Sequence, residues 1–298
     1  LTLTLSCLPS AVFAAPNTHL PNAWSPPFLP NSVPNAIAVA SSGDIVKIEL
    51  TGDSADLGSI SIGGKDLQII GPGADQMTMR FVGSLNIGGG SDVTIEDMSL
   101  SFTSGVFFSV ESGSKLTLKN CHVIRWWGGI EVSNSEFEAI NCTFGTPGLA
   151  TGGIRFIDLG GGNRTHNLVN CTFAGNLTSD AVLVNRGHTV NLTHCTFTGN
   201  NNMNSNLSSG IKNDLSGPLG MVNVRNCVFE NNDAIGFDDN ASFGGIPNSI
   251  TSLGGNVIED TSLAAFIAMP SDLMSVGAPI LNPALADNGG SVPTHALA

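Results

Sequence analysis

Short runs of alternating apolar and polar residues return along this chain at a nearly constant interval. Five of them, at 116–123, 137–144, 167–173, 190–197 and 222–229, align on a shared cysteine two residues before a Phe or Val. Residues 93–100 have the same shape with Met98 in the cysteine place, and 67–72 look like a degenerate earlier copy. Alternation at period two, as at Leu116/Leu118 and Val222/Val224, is the signature of a strand with one buried face. From Met98 through the cysteines the interval is 23, 21, 29, 24 and 32 residues. Three short strands and three turns occupy about that length, so each unit predicts one coil of a solenoid, with the excess of the longer intervals in loops. Successive coils stack their strands in parallel at roughly 4.8 Å, which turns the interior into ladders of like residues.

Met98, Cys121, Cys142, Cys171, Cys195 and Cys227 form one such predicted ladder. In-register side chains on parallel strands point the same way, a poor geometry for disulfides, and an odd number of cysteines cannot all pair. Buried free thiols acting as small hydrophobes are expected instead. The residue before the cysteine is Asn120, Asn141, Asn170 and Asn226, with His194 the exception. Asn tolerates a left-handed turn and can stack its amide coil on coil, so its expected role is structural. A second recurrence, Phe-x-x-Asn at 173–176, 197–200 and 229–232, places a stacked Phe inside and an Asn at a corner. Small residues then precede an Ile at Gly129-Ile130, Gly153-Ile154, Gly210-Ile211 and Ala234-Ile235, where Gly permits close backbone approach.

Composition agrees with strands and turns. Charged residues are 12% of the 298 and Gly numbers 36, which favours short strands and tight corners over helices. Lys+Arg 11 against Asp+Glu 24 gives a net charge of −13, which argues against a nucleic-acid partner. No run reaches the ~20 apolar residues of a membrane helix, so no membrane span is expected. Residues 1–14 are apolar and hydroxyl-rich, with Val12 and Ala14 at the positions a signal peptidase reads. They are read as a signal peptide lacking its front; the alternative is a buried apolar strand, and Cys7 after Leu5-Ser6 also fits a lipoprotein signal. Residues 15–33 are expected as an extended linker that packs little, and 34–298 as the solenoid.

The Phe-x-x-Asn and Gly-Gly-Ile elements resemble the repeats of chlamydial polymorphic outer-membrane proteins, whose passengers are β-helical adhesins. The chain is still more similar to secreted bacterial β-helix repeat proteins of the CSLREA and choice-of-anchor type, within the pectin-lyase-like superfamily. Several strings carry this second resemblance: 34–40, Gly43-Asp44-Ile45-Val46, 66–73 and the Asn-Cys-Thr-Phe strings at Asn141 and Asn170. At the end of the chain, Asn282-Pro283-Ala284-Leu285, Asp287-Asn288-Gly289-Gly290 and Thr294-His295-Ala296-Leu297 match as well. The resemblance implies an all-β, right-handed, single-stranded parallel β-helix with a short capping helix over 34–40 and a C-terminal family tail. It also implies an extracellular or cell-surface location.

The same fold carries polysaccharide enzymes. Glycoside hydrolysis needs paired carboxylates to protonate a leaving group and activate water, and Asp233, Asp238 and Asp239 are the candidates, with a solvated turn as their alternative. A calcium-dependent lyase needs stacked acidic side chains with an Arg or Lys base. Alignment of the Ile-containing strands predicts an outward row of Glu131, Arg155, Leu183, Lys212 and Gly236, in which Arg155 or Lys212 is the candidate base. The row mixes signs, so a surface ion pair between Glu131 and Arg155 is expected there. Ca2+ enters only under the lyase reading; otherwise no cofactor or metal is expected. Trp126-Trp127 either stack on a sugar or fill a corner of the coil. His122, His166, His188 and His194 lack metal-ligand spacing and read as turn or edge residues. The sequons at Asn141, Asn163, Asn170, Asn176 and Asn191 read as incidental.

These readings converge on a monomeric, non-catalytic β-helix used for adhesion, display or carbohydrate contact, with a polysaccharide or a host or cell-surface component as partner. The alternative is a lyase or glycoside hydrolase acting on acidic glycans.

Overall fold

The structure, a computed structural model, describes residues 16–23, 32–54, 56–103, 108–125, 128–145, 149–150, 152–160, 162–178, 181–202, 209–213, 220–234, 237–238, 241–243, 250–259, 269–274, 276, 280–282, 286 and 291–295. Three long parallel sheets run the length of the molecule. The first holds ten strands, from Thr18–His19 to Ile250–Ser252; the second eight, from Ile60–Gly63 to Ala241–Phe243; the third ten, from Gly52–Asp53 to Leu273–Met274. Each coil visits the first, third and second sheet in turn, as in Asp92–Glu96, Ser99–Phe102 and Phe108–Val110. The result is a parallel β-solenoid of about eight coils. From Leu149–Ala150 onward a fourth, shorter sheet enters between the third and second, and coils with the longer cysteine intervals lengthen both this connection and the return from the second sheet to the first, as between Ile154–Ile157 and Thr165–Val169.

The interior is built as ladders. Val46, Ile69, Ile95, Leu118, Ala139, Leu168, Leu192 and Val224 follow one another in register along the first sheet, all buried. On the third sheet Phe144, Phe173, Phe197 and Phe229 stack with centroids 4.9, 4.6 and 5.1 Å apart and planes within 12° of parallel. The corner between the first and third sheets is made by one residue per coil in left-handed geometry: Asp97, Asn120, Asn141, Asn170, His194 and Asn226 all have φ between 52° and 58°. Their side chains link coil to coil, Asn120 Nδ2 donating to Asp97 at 2.9 Å, Asn141 to Asn120 at 3.2 Å and Asn170 to Asn141 at 2.9 Å. A left-handed residue turns the chain sharply, so the cysteine that follows faces inward. Cys121, Cys142, Cys171, Cys195 and Cys227 are free thiols, all buried, and Met98 is buried with them. Each sulfur rests against backbone carbonyls, as Cys171 Sγ does at 3.4 Å from both Ala139 and Val169.

A helix at Val33–Val39 precedes the first coil. Ser32 caps it by accepting from the Asn35 amide at 3.3 Å, Pro34 sits in its first turn, and Val33, Ala36 and Ile37 are buried in the common core. Within the stretch expected as a linker, Thr18–His19 adds a short parallel strand beside Ile45 and Val46. Thr18 is exposed and His19 half-buried, so this strand extends an edge and supplies no core. Asp44 holds it by accepting from the Asn17 amide at 3.0 Å and pairing with His19 Nε2 at 2.9 Å. Residues 1–14 lie outside the described residues. Among the described residues no helix is long and apolar enough to cross a membrane.

Candidate functional site

The outer face of the third sheet carries a column of polar residues. Register places Asp53, Thr78, Ser99, His122, Thr143, Thr172 and Thr196 one above the other on successive coils. A parallel column beside it holds Arg80, Ser101 and Ile124. At the end of the molecule nearer the helix these columns border a cleft of about 290 Å³ lined by Asp53, Thr78, Arg80, Ser101, His122, Ile124 and Arg125. Arg125 leaves the strand in left-handed geometry, with φ of 52°. Arg80 is ion-paired with Asp56, and its amide donates to Ser54 Oγ at 2.7 Å. His122 Nε2 donates to the Gly145 carbonyl at 3.2 Å, which leaves Nδ1 as an acceptor. Burial holds His122 below the ordinary imidazole range, against the opposing pull of that bond, so the ring is neutral at pH 7. The cleft therefore presents guanidinium donors, a carboxylate, two hydroxyls and an apolar wall from Ile124.

The residues singled out from sequence do not meet there. Arg155 and Lys212 lie on the second sheet. Their row is corrected by the register: it runs Glu131, Arg155, Val184, Lys212, Ser242, with Val184 and Ser242 in place of Leu183 and Gly236. The physical reason is the pleat. Leu183 pairs with inward-facing Ile154, so its neighbour Val184 takes the outward position. Glu131 and Arg155 are direct register partners, yet the ion pairs among the described residues do not include them; Glu131 instead accepts from Ser133 at 3.4 Å. Asp233 and Asp238 stand opposite each other in an antiparallel pair at the end of the fourth sheet. Asp239, Trp126 and Trp127 lie outside the described residues.

His166 corrects the turn-or-edge reading, since it lies inside the strand Thr165–Val169 and is fully buried; His188 does sit in the bend between Leu183–Arg186 and Thr189–Thr193, but its side chain is buried too. His166 occupies the inward position between Phe137 and Val190, stacked at 4.0 Å on Phe156, and His188 meets it edge-on at 4.9 Å. The half-turn from the second to the first sheet supplies their partners: Phe137 N–H donates to His166 Nδ1 at 3.2 Å and Arg164 N–H to His188 Nδ1 at 3.0 Å. Sequence reasoning also missed the cleft residues Asp53, Arg80, Ser101 and Arg125. Aligning Met77–Phe81, Ser99–Phe102 and His122–Ile124 as equivalent strands is the signal that finds them.

No family model and no curated protein matches this chain. Among solved structures, Geobacillus virus E2 - ORF18 aligns with 76% of the chain and 47% of its own, at 16% identity and a TM-score of 0.45. The chain thus spans about half the length of that protein.

Proposed function

We propose that this protein is a non-catalytic, extracellular or cell-surface β-helix that contacts a neutral saccharide through the cleft on its third sheet. The observation that carries the reading is the lining itself, with Asp53, Arg80 and Arg125 beside Thr78, Ser101 and Ile124. Guanidinium and carboxylate groups are two-point partners for neighbouring hydroxyls, Ser and Thr serve as donor or acceptor, and an aliphatic wall suits the CH face of a sugar. Charge decides between neutral and acidic glycans. The molecule carries a net −13 and Arg80 is already offset by Asp56, so a long polyanion meets repulsion and little local compensation. The right-handed sense and the membership of the CSLREA and choice-of-anchor type belong to the same proposal and rest on the sequence resemblance; the signal peptide rests on residues 1–14, with Val12 and Ala14 at the cleavage positions, and the monomeric state is proposed with them.

A glycan array with the full chain tests it. Neutral glycans are expected to bind, Arg125→Ala to weaken binding by roughly tenfold or more, and added salt to change little. Absence of saccharide binding, or binding indifferent to Arg125→Ala, sinks the reading. The alternative, glycan cleavage, is favoured by Asp233 standing opposite Asp238 in backbone register, since glycosidases use two acidic residues brought together. Turnover of polyuronides or other glycans that disappears in Asp238→Asn would establish it in place of the first.

A further inference from the structure

The polar column that opens into the cleft does not end there. Beyond His122 it continues through Thr143, Thr172 and Thr196, and its neighbouring column through Ala174, Thr198 and Glu230. Thr143, Thr172, Thr198 and Glu230 are buried, as Ser99 and Ser101 are beside the cleft, but at Thr143 and Glu230 the C-terminal segment itself supplies the cover. Residues 280–282 and 291–295 cover part of this face. The Glu230 carboxylate accepts from the backbone amides of Ile280 at 2.7 Å and Leu281 at 2.9 Å, one oxygen to each. The chain then closes an antiparallel bridge between Ala286 and Thr294, with His295 Nδ1 2.7 Å from the Asn282 carbonyl. Beyond that bridge Thr143 Oγ1 donates to the Pro293 carbonyl at 2.6 Å and Ser291 Oγ donates to Asn120 at 3.1 Å. The segment thus reaches from the coil of Glu230 back to the coils of Thr143 and Asn120. Thr143, which it contacts there, is one register position from His122, a cleft residue.

We propose that this C-terminal clasp occupies in cis the far half of one continuous saccharide groove, and that a long oligosaccharide binds by displacing it. The inference rests on the reading of the cleft as a saccharide site and extends that site along the third sheet. The grip is chemically suited to exchange. Its contacts with the sheet are hydroxyl-to-carbonyl and amide-to-carboxylate bonds, the same groups a sugar hydroxyl can replace one for one, and among the described residues Leu281 and Val292 are its buried apolar side chains. A small, polar contact of this kind opens without exposing core, as low-stability covering segments do. The exposed cleft spans three inter-coil steps, Asp53 to His122, or roughly 14 Å at the inter-strand spacing; release of the clasp adds the steps to Thr196 and beyond.

The test compares the full chain with Ser291→Ala, which removes the clasp's bond to Asn120, and with Val292→Ala, which truncates one of its buried apolar side chains; both leave the side chains of the sheet intact. Probes are neutral gluco-, xylo- and manno-oligosaccharides, each in a short form matched to the open cleft and a long form spanning the sheet. Short forms are expected to bind all three proteins alike, and long forms to bind the two variants about tenfold more tightly than the parent, the worth of one hydrogen bond or of two buried methyl groups. Hydrogen exchange without ligand is expected to show the Leu281 and Thr294 amides opening before those of the strand Thr172–Ala174 in the parent, and faster still in both variants. Short forms that fail to bind the parent sink the cleft reading. Short forms that bind, with long forms bound equally by parent and variants, sink the clasp. Clasp amides as protected as the strand sink it whether or not any sugar binds.

Discussion

His166 is the residue at which the interior departs from hydrocarbon. It fills a position that Phe137 and Val190 hold on the coils either side, and its ring stacks as an aromatic on Phe156. Because Nδ1 accepts the Phe137 amide, the proton of the neutral ring sits on Nε2, which is buried and has no hydrogen-bond partner among the described residues. Burial first, and the neighbouring His188 second, press its pKa down to about 3. The unfolded chain, with an ordinary imidazole near 6.5, therefore binds a proton that the folded chain refuses. This contribution to stability is fully present above pH ~6.5 and is lost as pH falls toward 3, amounting to about 2 kcal/mol at pH 5. Denaturant melts at a series of pH values check it: His166→Leu is expected to flatten the acid limb while costing stability at neutral pH, because the Phe137 amide loses its acceptor. An unchanged acid limb would show that another group sets it. The cysteines make the opposite case, polarity suppressed. Burial pushes the Cys121, Cys171 and Cys227 thiols up, so no thiolate forms near neutrality. The folded chain should leave all five ladder thiols unmodified by an alkylating reagent that labels them after denaturation, and Cys171→Ser should cost about 1–3 kcal/mol.

At the scale of the element, the corners hold the strands in register, and they do so with amides. Asn176, Asn200 and Asn232 form a buried column in which Asn200 donates to Asn232 Oδ1 at 2.7 Å and to the Phe173 carbonyl at 3.0 Å, and accepts from Asn176 at 2.8 Å. Asn200→Ala strands donors and acceptors on both neighbouring coils and is expected to destabilise by about 2–5 kcal/mol, several times the effect at exposed Asn163; thermal melts of the two variants decide it. On the opposite corner Gly129, at φ of 74°, would bring a Cβ within 2.4 Å of the Gly153 carbonyl, so the two coils can approach there only as glycines. This layer was legible in the sequence: Phe-x-x-Asn and Gly-Gly-Ile are visible because every coil repeats the same local need. The register of the second sheet was not. Leu183 and Val184 are both buried and both apolar, so pattern alone could not say which faced the core, and only pairing with Ile154 settled it. His166 was hidden for a related reason, since a single polar letter at an inward position reads as outward unless its strand is aligned with Phe137. The cleft was illegible because its residues come from four coils of unequal length, of which the first two barely show the repeat.

A solenoid has no global core to fall back on, because each coil touches only its neighbours, so its ends decide where unfolding begins. The clasp answers this on the flank, where sequence matched its strings to a family tail yet could not show that Glu230 and Thr143 would hold it down. At the start of the chain the answer is the helix Val33–Val39, which lays Val33, Ala36 and Ile37 on the core. Its last turn leaves carbonyls without helical partners, as every helix does. Lys65, arriving from the second coil, donates Nζ to the carbonyls of Ile37 at 2.7 Å, Ala38 at 3.2 Å and Ala40 at 2.9 Å, placing a cation at the negative end of the helix. Burial lowers the Lys65 pKa, the sign that this ammonium gives up hydration to reach those carbonyls. Lys65→Met keeps much of the length and apolar stem but removes the donors. Because coupling passes only between adjacent coils, the loss should stay local. Amide exchange is expected to quicken at Val33–Val39 and Asp44–Lys47, while Thr189–Thr193 and Met221–Arg225, five and six coils away, keep their parent protection. Uniformly faster exchange along the whole chain would mean instead that the solenoid unfolds as one cooperative unit, and that the helix supports every coil as strongly as the first.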